Sequence, residues 1–375
     1  MLFRYTQDSK GRPVKTAVIY TKEEHCIDNT KIDSDALKII TQLRSFGFSA
    51  YLVGGAVRDL LVGNKPKDFD IVTNATPSRI KKIFRNSRII GRRFRLVHVF
   101  FGSTIYEVST FRSISDGTVG NNFGTIEEDV QRRDFTLNAL YYDPIKEQVI
   151  DYVGGVRDIR KGIIRPVIPL DTIFVEDPVR MIRAVKYTAT THFKMPYSLR
   201  HKITKSAHLL SPVSPSRLTE ELLKIVNSSH AYEIVRLCME TDVYMYLQPA
   251  ATGMMYSNPD FRDSYLNHLK ELDALNASGA DVRLGQKLYY LIYDFIACLT
   301  DWEAESVSSA TGDLYTKTWT QCRNFVLPMN PQRTELEYAI KAVLKDLGIT
   351  IRIPKDAVGG KRRRFGFRKK SESEN

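Results

Sequence analysis

The sequence has 375 residues, 43% of them hydrophobic and 26% charged, with a formal net charge of +12. That length supports two or three domains with a substantial core. No apolar run reaches the ~18 residues of a membrane-spanning helix, and the start, MLFRYTQDSKGRPVK, lacks the apolar core of a signal peptide, so no membrane span is expected and the cytoplasm is the expected location.

The four cysteines (Cys26, Cys238, Cys298, Cys322) are scattered, with neither disulfide nor metal-ligand spacing, and the histidines form no HxH or HxxxH pattern. The positive charge is concentrated. KRRRFGFRKK (361–370) carries seven basic residues and no acid, and without it the net charge falls to +5. A polyanion is the natural partner of such a chain, although an anionic membrane surface would serve the same charge.

Residues 1–35 are polar with weak periodicity and read as an N-terminal extension. From Ser34, Leu37, Ile39, Ile40 and Leu43 recur at helical spacing, and Gly47 ends the run. AYLVGG (50–55) reads as a short strand entering two glycines, AVRDLLVG (56–63) as a brief helix, and KDFDIVTN (67–74) as a strand. ATPSRIKKIFRN (75–86) reads as a helix with Pro77 in its first turn. RLVHVFFGSTIYEVSTFR (95–112) is predicted to form a hairpin around Gly102-Ser103. GTVGNNFG (117–124) is a loop, and RRDFTLNALYYD (132–143) begins a helix or a strand that periodicity does not separate.

The helical period dominates from about Thr172 to Leu347, broken by the turn-rich SPVSPSR (211–217). The expected architecture is an α/β (α+β) head with a mixed sheet at 36–165, a helical neck at 166–226, a helical body at 227–350 and a basic disordered tail at 351–375.

The chemistry centres on Asp68-Phe69-Asp70. On a strand, residues i and i+2 face the same way, so both carboxylates converge while Phe69 points into the core. Two adjacent acids repel unless cations sit between them, and Mg²⁺ is the usual oxygen-ligated answer. Such a pair can clamp two metals ~3.5 to 4 Å apart, one activating an attacking 3′-hydroxyl and the other holding a triphosphate. Thirteen residues earlier, Gly54-Gly55 lets the backbone approach a ligand closely, and Arg58 offers its fork to phosphate. Asp59 is expected to pair with Arg58 or cap its helix.

Glu107, among apolar strand residues, needs a partner. Arg132-Arg133-Asp134 joins cations suited to phosphate with a carboxylate suited to a ribose hydroxyl or metal-bound water. Glu176-Asp177-Pro178-Val179-Arg180 is expected to open a helix that carries Asp177, Arg180 and Arg183 on one face. An aspartate accepts from an exocyclic amine and an arginine donates to a ring nitrogen, which matches an edge that adenine and cytosine both present.

LVGGAVRDLLVG, KDFDIVTNATP, RRDFTLNAL, DYVGGVRDIRKGIIR, EDPVRMIRAV and SPSRLTEELLKI occur in this order over roughly residues 50–226. In them the chain resembles the class II nucleotidyltransferase superfamily of bacterial poly(A) polymerases and CCA-adding enzymes. The resemblance implies a nucleotidyltransferase head, a neck that selects the nucleotide and a body that binds RNA. It implies Mg²⁺ ligation by Asp68 and Asp70, triphosphate contacts from Gly55 and Arg58, and roles for Arg133 and Asp134 at the nucleotide sugar and phosphates. It further implies base selection by Asp177 and Arg180, with Arg183 beside them.

Lys186 stands where the family often repeats arginine and is not assigned a role. Glu107 matches an acidic strand position in relatives but ranks below Asp134. FRNSRIIGRRFRLVHVFF (84–101) resembles the polymerase branch, and the glycine-histidine-glycine-threonine turn of CCA-adding relatives is absent. The expectation is therefore addition of adenylate from ATP to RNA 3′ ends. CCA addition to tRNA, with CTP as well, is the alternative, and a non-catalytic RNA-binding protein on the same scaffold is the third.

Overall fold

The computed structural model describes residues 2–7, 10–91, 95–113, 123–299 and 312–349. The expectations for the basic tail, for 117–122 of the glycine-rich loop and for 92–94 of the basic segment lie outside the described residues. The chain groups into two compact units, one drawn from 1–221 and 233–246, the other from 222–232 and 247 onward.

The first unit holds a nine-stranded mixed sheet: β1 (Leu2–Gln7), β2 (Pro13–Tyr20), β3 (Ala50–Val53), β4 (Asp70–Thr73), β5 (Ser87–Ile90), β6 (Leu96–Phe101), β7 (Thr104–Thr110), β8 (Leu140–Asp143) and β9 (Gln148–Asp151). Its order is β1-β2-β9-β8-β3-β4-β7-β6-β5. Every pairing is antiparallel except β4 with β7, whose parallel register sets Ile71 beside Val108. Along this unit run α1 (Lys22–His25), α2 (Ser34–Ser45), α3 (Gly55–Leu61), α4 (Pro77–Ile83), α5 (Ile126–Gln131) and α6 (Gly155–Lys161).

Helices then take over, with α7 (Ile173–Glu176), α8 (Val179–Thr191), α9 (Tyr197–Ser206), α10 (Pro215–Val226), α11 (Ala231–Glu240) and α12 (Tyr244–Leu247). The described part of the second unit is helical as well: α13 (Pro249–Ser257), α14 (Pro259–Ala277), α15 (Leu284–Ala297), α16 (Gly312–Phe325) and α17 (Arg333–Asp346). Within it, Asp294 of α15 accepts from Ser264 and His268 of α14, and Glu335 of α17 pairs with Arg283 at the start of α15. No helix among the described residues is long and apolar enough to cross a membrane.

Much of the head follows from its pattern. α2 starts at its Asp33 cap and buries Ala36, Ile39, Ile40 and Leu43, a stripe at helical spacing. β6 and β7 form the expected hairpin around Gly102-Ser103.

Three expectations need correction, and the open choice at 132–143 is decided. Residues 1–35 are not simply an appendage, because β2 pairs with β9 and buries Ala17 and Tyr20. The strand in KDFDIVTN begins only at Asp70, so Asp68 lies in the approach to it rather than on it, although Phe69 is buried as expected. Segment 132–143 is a short 3-10 turn at Thr136–Asn138 and then β8. Its backbone finds partners elsewhere: Thr136 N–H donates to the Arg165 carbonyl, and the Asp134 carbonyl accepts from Val167 N–H, so no helix propagates. Finally, Glu176 closes the one-turn α7, Asp177 is extended (φ −149°), and α8 begins at Val179 after Pro178.

The glycine pair at the start of α6 shows how tightly the head is assembled. Asp151 accepts from the N–H groups of Val153, Gly154, Gly155 and Val156 at 2.7–3.0 Å. A Cβ on Gly155 would fall 2.2 Å from the Thr136 carbonyl oxygen, a backbone atom that cannot rotate away. Gly155→Ala should therefore lower stability by about 1–3 kcal/mol, the range for overpacking. Urea denaturation should show an earlier midpoint with an unchanged slope.

Candidate active site

β3 ends at Val53, and the chain turns at Gly54 (φ +69°, ψ −135°) into α3. This conformation requires glycine, and a Cβ there would stand 3.7 Å from Asp70 Oδ2. The turn thus carries bare backbone past the first residue of β4.

The parallel register of β4 and β7 carries Glu107 alongside Asp70, on the same face, because Ile71 and Val108 are partners one step later. Burial raises the Asp70 carboxyl to about 6, and the charges of Glu107 and Asp68 push the same way against the nearby Arg133. Asp70 nevertheless keeps an accessible surface, as do Asp68 and Glu107. Three acids therefore share one field. Glu107 Oε1 lies 3.5 Å from His98 Nε2 on the neighbouring strand.

Among the described residues, no three His, Cys, Asp or Glu side chains close into a ligand set. A pair of open carboxylates still fits a hard divalent cation such as Mg²⁺, which binds through one or two carboxylates and completes its shell with water and substrate phosphate.

Beside the acids stand arginines. Arg58 donates to Asp59 Oδ1 through Nε and Nη2 and to Asn138 Oδ1 through Nη1 at 3.0 Å, and it lies over the Tyr187 ring at 5.7 Å. Asp59 is thus a partner of Arg58. Arg133 donates to Asp129 Oδ2, to the Tyr141 hydroxyl and to the Asn138 carbonyl. Arg132 forks onto Asp129 Oδ1, while the Arg112 N–H and the Tyr141 hydroxyl complete the shell of that fully buried carboxylate. Burial alone would raise the Asp129 carboxyl, but Arg133, Arg132 and Tyr141 overcome it and hold the group down at about 2.

Asp134 has partners of its own. Its carboxylate accepts from Phe135 N–H and faces Arg183 at 3.6 Å. Arg183 also reaches Glu221 at 3.5 Å, and Lys186 binds the same buried Glu221 at 3.1 Å. Arg180 N–H donates to the Asp177 carbonyl, but their side chains take other partners. Both Asp177 oxygens accept from Arg217 Nη2, at 2.8 and 3.0 Å, and Val179 N–H donates to Oδ1. Arg180 is tied to Glu176, the Ile173 carbonyl and the Arg132 carbonyl.

Asp129, Asn138 and Arg217 were missed from sequence. The spacing of Asp129 to Arg132 and Arg133 (i+3, i+4) was a visible signal, and Asn138 and Arg217 sit inside the motifs RRDFTLNAL and SPSRLTEELLKI.

Residues 50–165 match the poly A polymerase head domain, and 192–255 match the probable RNA and SrmB-binding site of polymerase A. The chain belongs to the nucleotidyltransferase superfamily of bacterial poly(A) polymerases and CCA-adding enzymes. It is 43% identical over 270 residues to poly(A) polymerase I of Escherichia coli O157:H7, an overlap of 68% of this chain and 58% of that protein. To the CCA-adding enzyme of Geobacillus kaustophilus it is 34% identical over 258 residues, 66% of this chain and 63% of the relative. The chain thus spans about three fifths of the length of these relatives. Among solved structures, the Bacillus stearothermophilus CCA-adding enzyme in complex with CTP is similar at a TM-score of 0.53 and 28% identity, over 83% of this chain and 92% of that one.

The Asp129 network yields a test. A carboxyl held below its unfolded range stabilises the fold while it is ionised in both states, so this contribution is complete above the ordinary value of 3.8 and fades as the pH falls toward about 2. Asp129→Asn should cost on the order of 3 kcal/mol at neutral pH, because two guanidiniums lose their buried counter-charge. It should also flatten the stability curve between about pH 4 and pH 2, as read by chemical denaturation across pH.

Proposed function

We propose that the protein adds adenylates from ATP to the 3′ end of RNA without a template, using Mg²⁺ held by Asp68 and Asp70. The observation that carries this reading is the acid trio Asp68, Asp70 and Glu107 set beside the Gly54-Gly55 turn and the arginine array. It supplies both the carboxylates and the cations that a nucleotidyl transfer needs. The greater identity to proteins named poly(A) polymerase I supports adenylate addition over CCA addition.

Bound Mg²⁺ would lower the pKa of the attacking hydroxyl and offset charge on the phosphates. The protein's own groups do the rest. The bare turn at Gly54-Gly55 admits the triphosphate, and Arg58, fixed by Asp59 and Asn138, presents its outer face to it. Arg133, anchored on Asp129, adds a second fixed cation near Asp70. Asp134 and Arg183 serve the nucleotide sugar. Asp177 accepts from the exocyclic amine, and Arg180 donates to the ring nitrogen.

Adenine and cytosine share that donor–acceptor edge but differ in size. A carboxylate held in place by Arg217 cannot follow the smaller base inward, which favours the purine. Arg217→Ala should therefore raise the CTP-to-ATP ratio of kcat/KM about tenfold, within the 1–3 kcal/mol of one paired base contact. An unchanged ratio in single-nucleotide assays would remove this account of selectivity.

Asp68→Ala and Asp70→Ala should each abolish addition without unfolding the chain. Because the Asp70 proton leaves only near pH 6, cation affinity should weaken as the pH drops through about 6, and this step should vanish in Asp70→Asn. Titration of the protein with Mn²⁺, followed by water proton relaxation across pH, reads that directly. For the reaction itself, oligo(A) and a tRNA lacking its CCA end are incubated with single nucleotides and the products sized. A ladder on oligo(A) with ATP is expected. Two cytidylates and one adenylate on the tRNA, with no ladder, would replace polyadenylation by CCA addition.

A further inference from the structure

We propose that a cavity on the Asp68 side of the site seats a phosphodiester of the RNA strand next to its 3′ end. This inference rests on the polymerase reading above. The cavity has a volume of about 300 Å³, at the low end for small-ligand sites and suited to one nucleotide unit. Asp68 forms part of its wall, and Lys31, Lys65 and Lys67 line it together with Ile105 and Asp33.

The lysines are held by the local fold. Lys31 ends a 3-10 turn (Asn29–Lys31) and donates to the Gly63 carbonyl at 2.6 Å, which ties the loop before Asp68 to the N-terminal segment. Lys65 and Lys67 flank Pro66, whose buried ring fixes the backbone between them. Both are exposed, and neither side chain makes a hydrogen bond or ion pair among the described residues, although Asp33 and Asp68 line the same cavity. Lysines present only to neutralise those acids would be paired with them. Asp33 instead caps α2, accepting from Asp35 N–H at 2.8 Å. The ammonium groups are thus free to serve as point charges for a phosphate. Ile105, half exposed, adds an apolar wall of the kind a ribose can lie against.

Polarity across the site gives the ligand its identity. Gly54 approaches Asp70 Oδ2 and Arg133 acts on Asp70, so the arginine flank receives the triphosphate. The α-phosphorus and the attacking hydroxyl meet at the carboxylates. The strand that ends in this hydroxyl must leave by the other flank, and Asp68 faces the lysine cavity there. A free pyrophosphate shares the same chemistry, and the test separates the two.

The test is equilibrium binding, which needs no turnover. A fluorescent 2′-O-methyl oligo(A) ending in a 3′-deoxynucleotide is titrated with the full chain in Mg²⁺, either with ordinary linkages or with a neutral methylphosphonate at the last linkage. Wild type should bind the neutral-linkage probe about tenfold more weakly, the loss expected for one charge-assisted contact. In the Lys65→Ala/Lys67→Ala variant the ordinary probe should already bind about tenfold more weakly, and neutralising the linkage should then change little. Lys65→Arg/Lys67→Arg should restore affinity, and the alanine variant should keep the wild-type urea midpoint, which excludes unfolding as the cause of its weaker binding.

Equal penalties for the neutral linkage in wild type and the alanine variant would overturn the proposal. So would a variant whose only change is weaker displacement of the probe by pyrophosphate, which would assign the cavity to the leaving group. A wild-type chain that binds the probe as described but adds no nucleotide would overturn the polymerase reading and leave the cavity assignment standing.

Discussion

The buried Asp129 carboxylate organises the head. It is fully buried, yet four donor groups from three parts of the chain converge on it: the Arg112 N–H after β7, the Arg132 and Arg133 guanidiniums after α5, and the Tyr141 hydroxyl of β8. Each of these elements reaches the candidate site. β7 carries Glu107, β8 pairs with β3 ahead of the Gly54 turn, and the Arg132 carbonyl accepts from Arg180 of α8. A buried charge is tolerated only when it is paired and fully hydrogen-bonded, so the acid and the arginines fix one another's positions. The site's geometry is therefore set by an interaction that touches no substrate in the proposed reaction.

Two kinds of charge pairing coexist within this small region. Around Asp129 and Glu221 opposite charges are matched and enclosed. Around Asp70 like charges are set together and left open. Matched pairs rigidify, whereas an unmatched, accessible acid cluster in a packed head retains an unmet demand for a cation. The Gly54 turn fits the same contrast, since its left-handed backbone favours glycine and leaves bare main chain beside Asp70.

The sequence disclosed the parts of this arrangement that depend on local spacing. The α2 stripe, the hairpin at 95–112 and the glycine turn before Arg58 all follow from contacts within a few residues. What it concealed depends on long-range partners. β2 carries no strong alternation, since it is half exposed and is ordered by β9 about 130 residues away. Segment 132–143 resisted assignment because residues 165–167, not its own neighbours, satisfy its backbone. Glu107 was ranked below Asp134 because nothing in the chain order shows that a parallel register sets it beside Asp70. Likewise, Asp177 and Arg180 share a local motif, but their partners Arg217 and Arg132 lie about 40 and 48 residues off.

The contrast between Asp129 and Asp70 also explains why the acid cluster is not silenced from within. Arg133 lies close enough to Asp70 to lower its pKa, and a guanidinium free to swing would pair with that carboxylate and take the place of a cation. It does not, because Asp129 holds it more strongly. Asp129 Oδ2 accepts from both Nε and Nη2 of Arg133, and the Tyr141 hydroxyl and the Asn138 carbonyl hold the same guanidinium. Arg133 is thereby restrained beside the acids, where the proposed reaction needs a cation for phosphate. The same logic holds for Arg58, which is retained by Asp59 and Asn138 on its inner side. Groups built into the scaffold thus restrain both arginines, which leaves the open carboxylates unpaired with them.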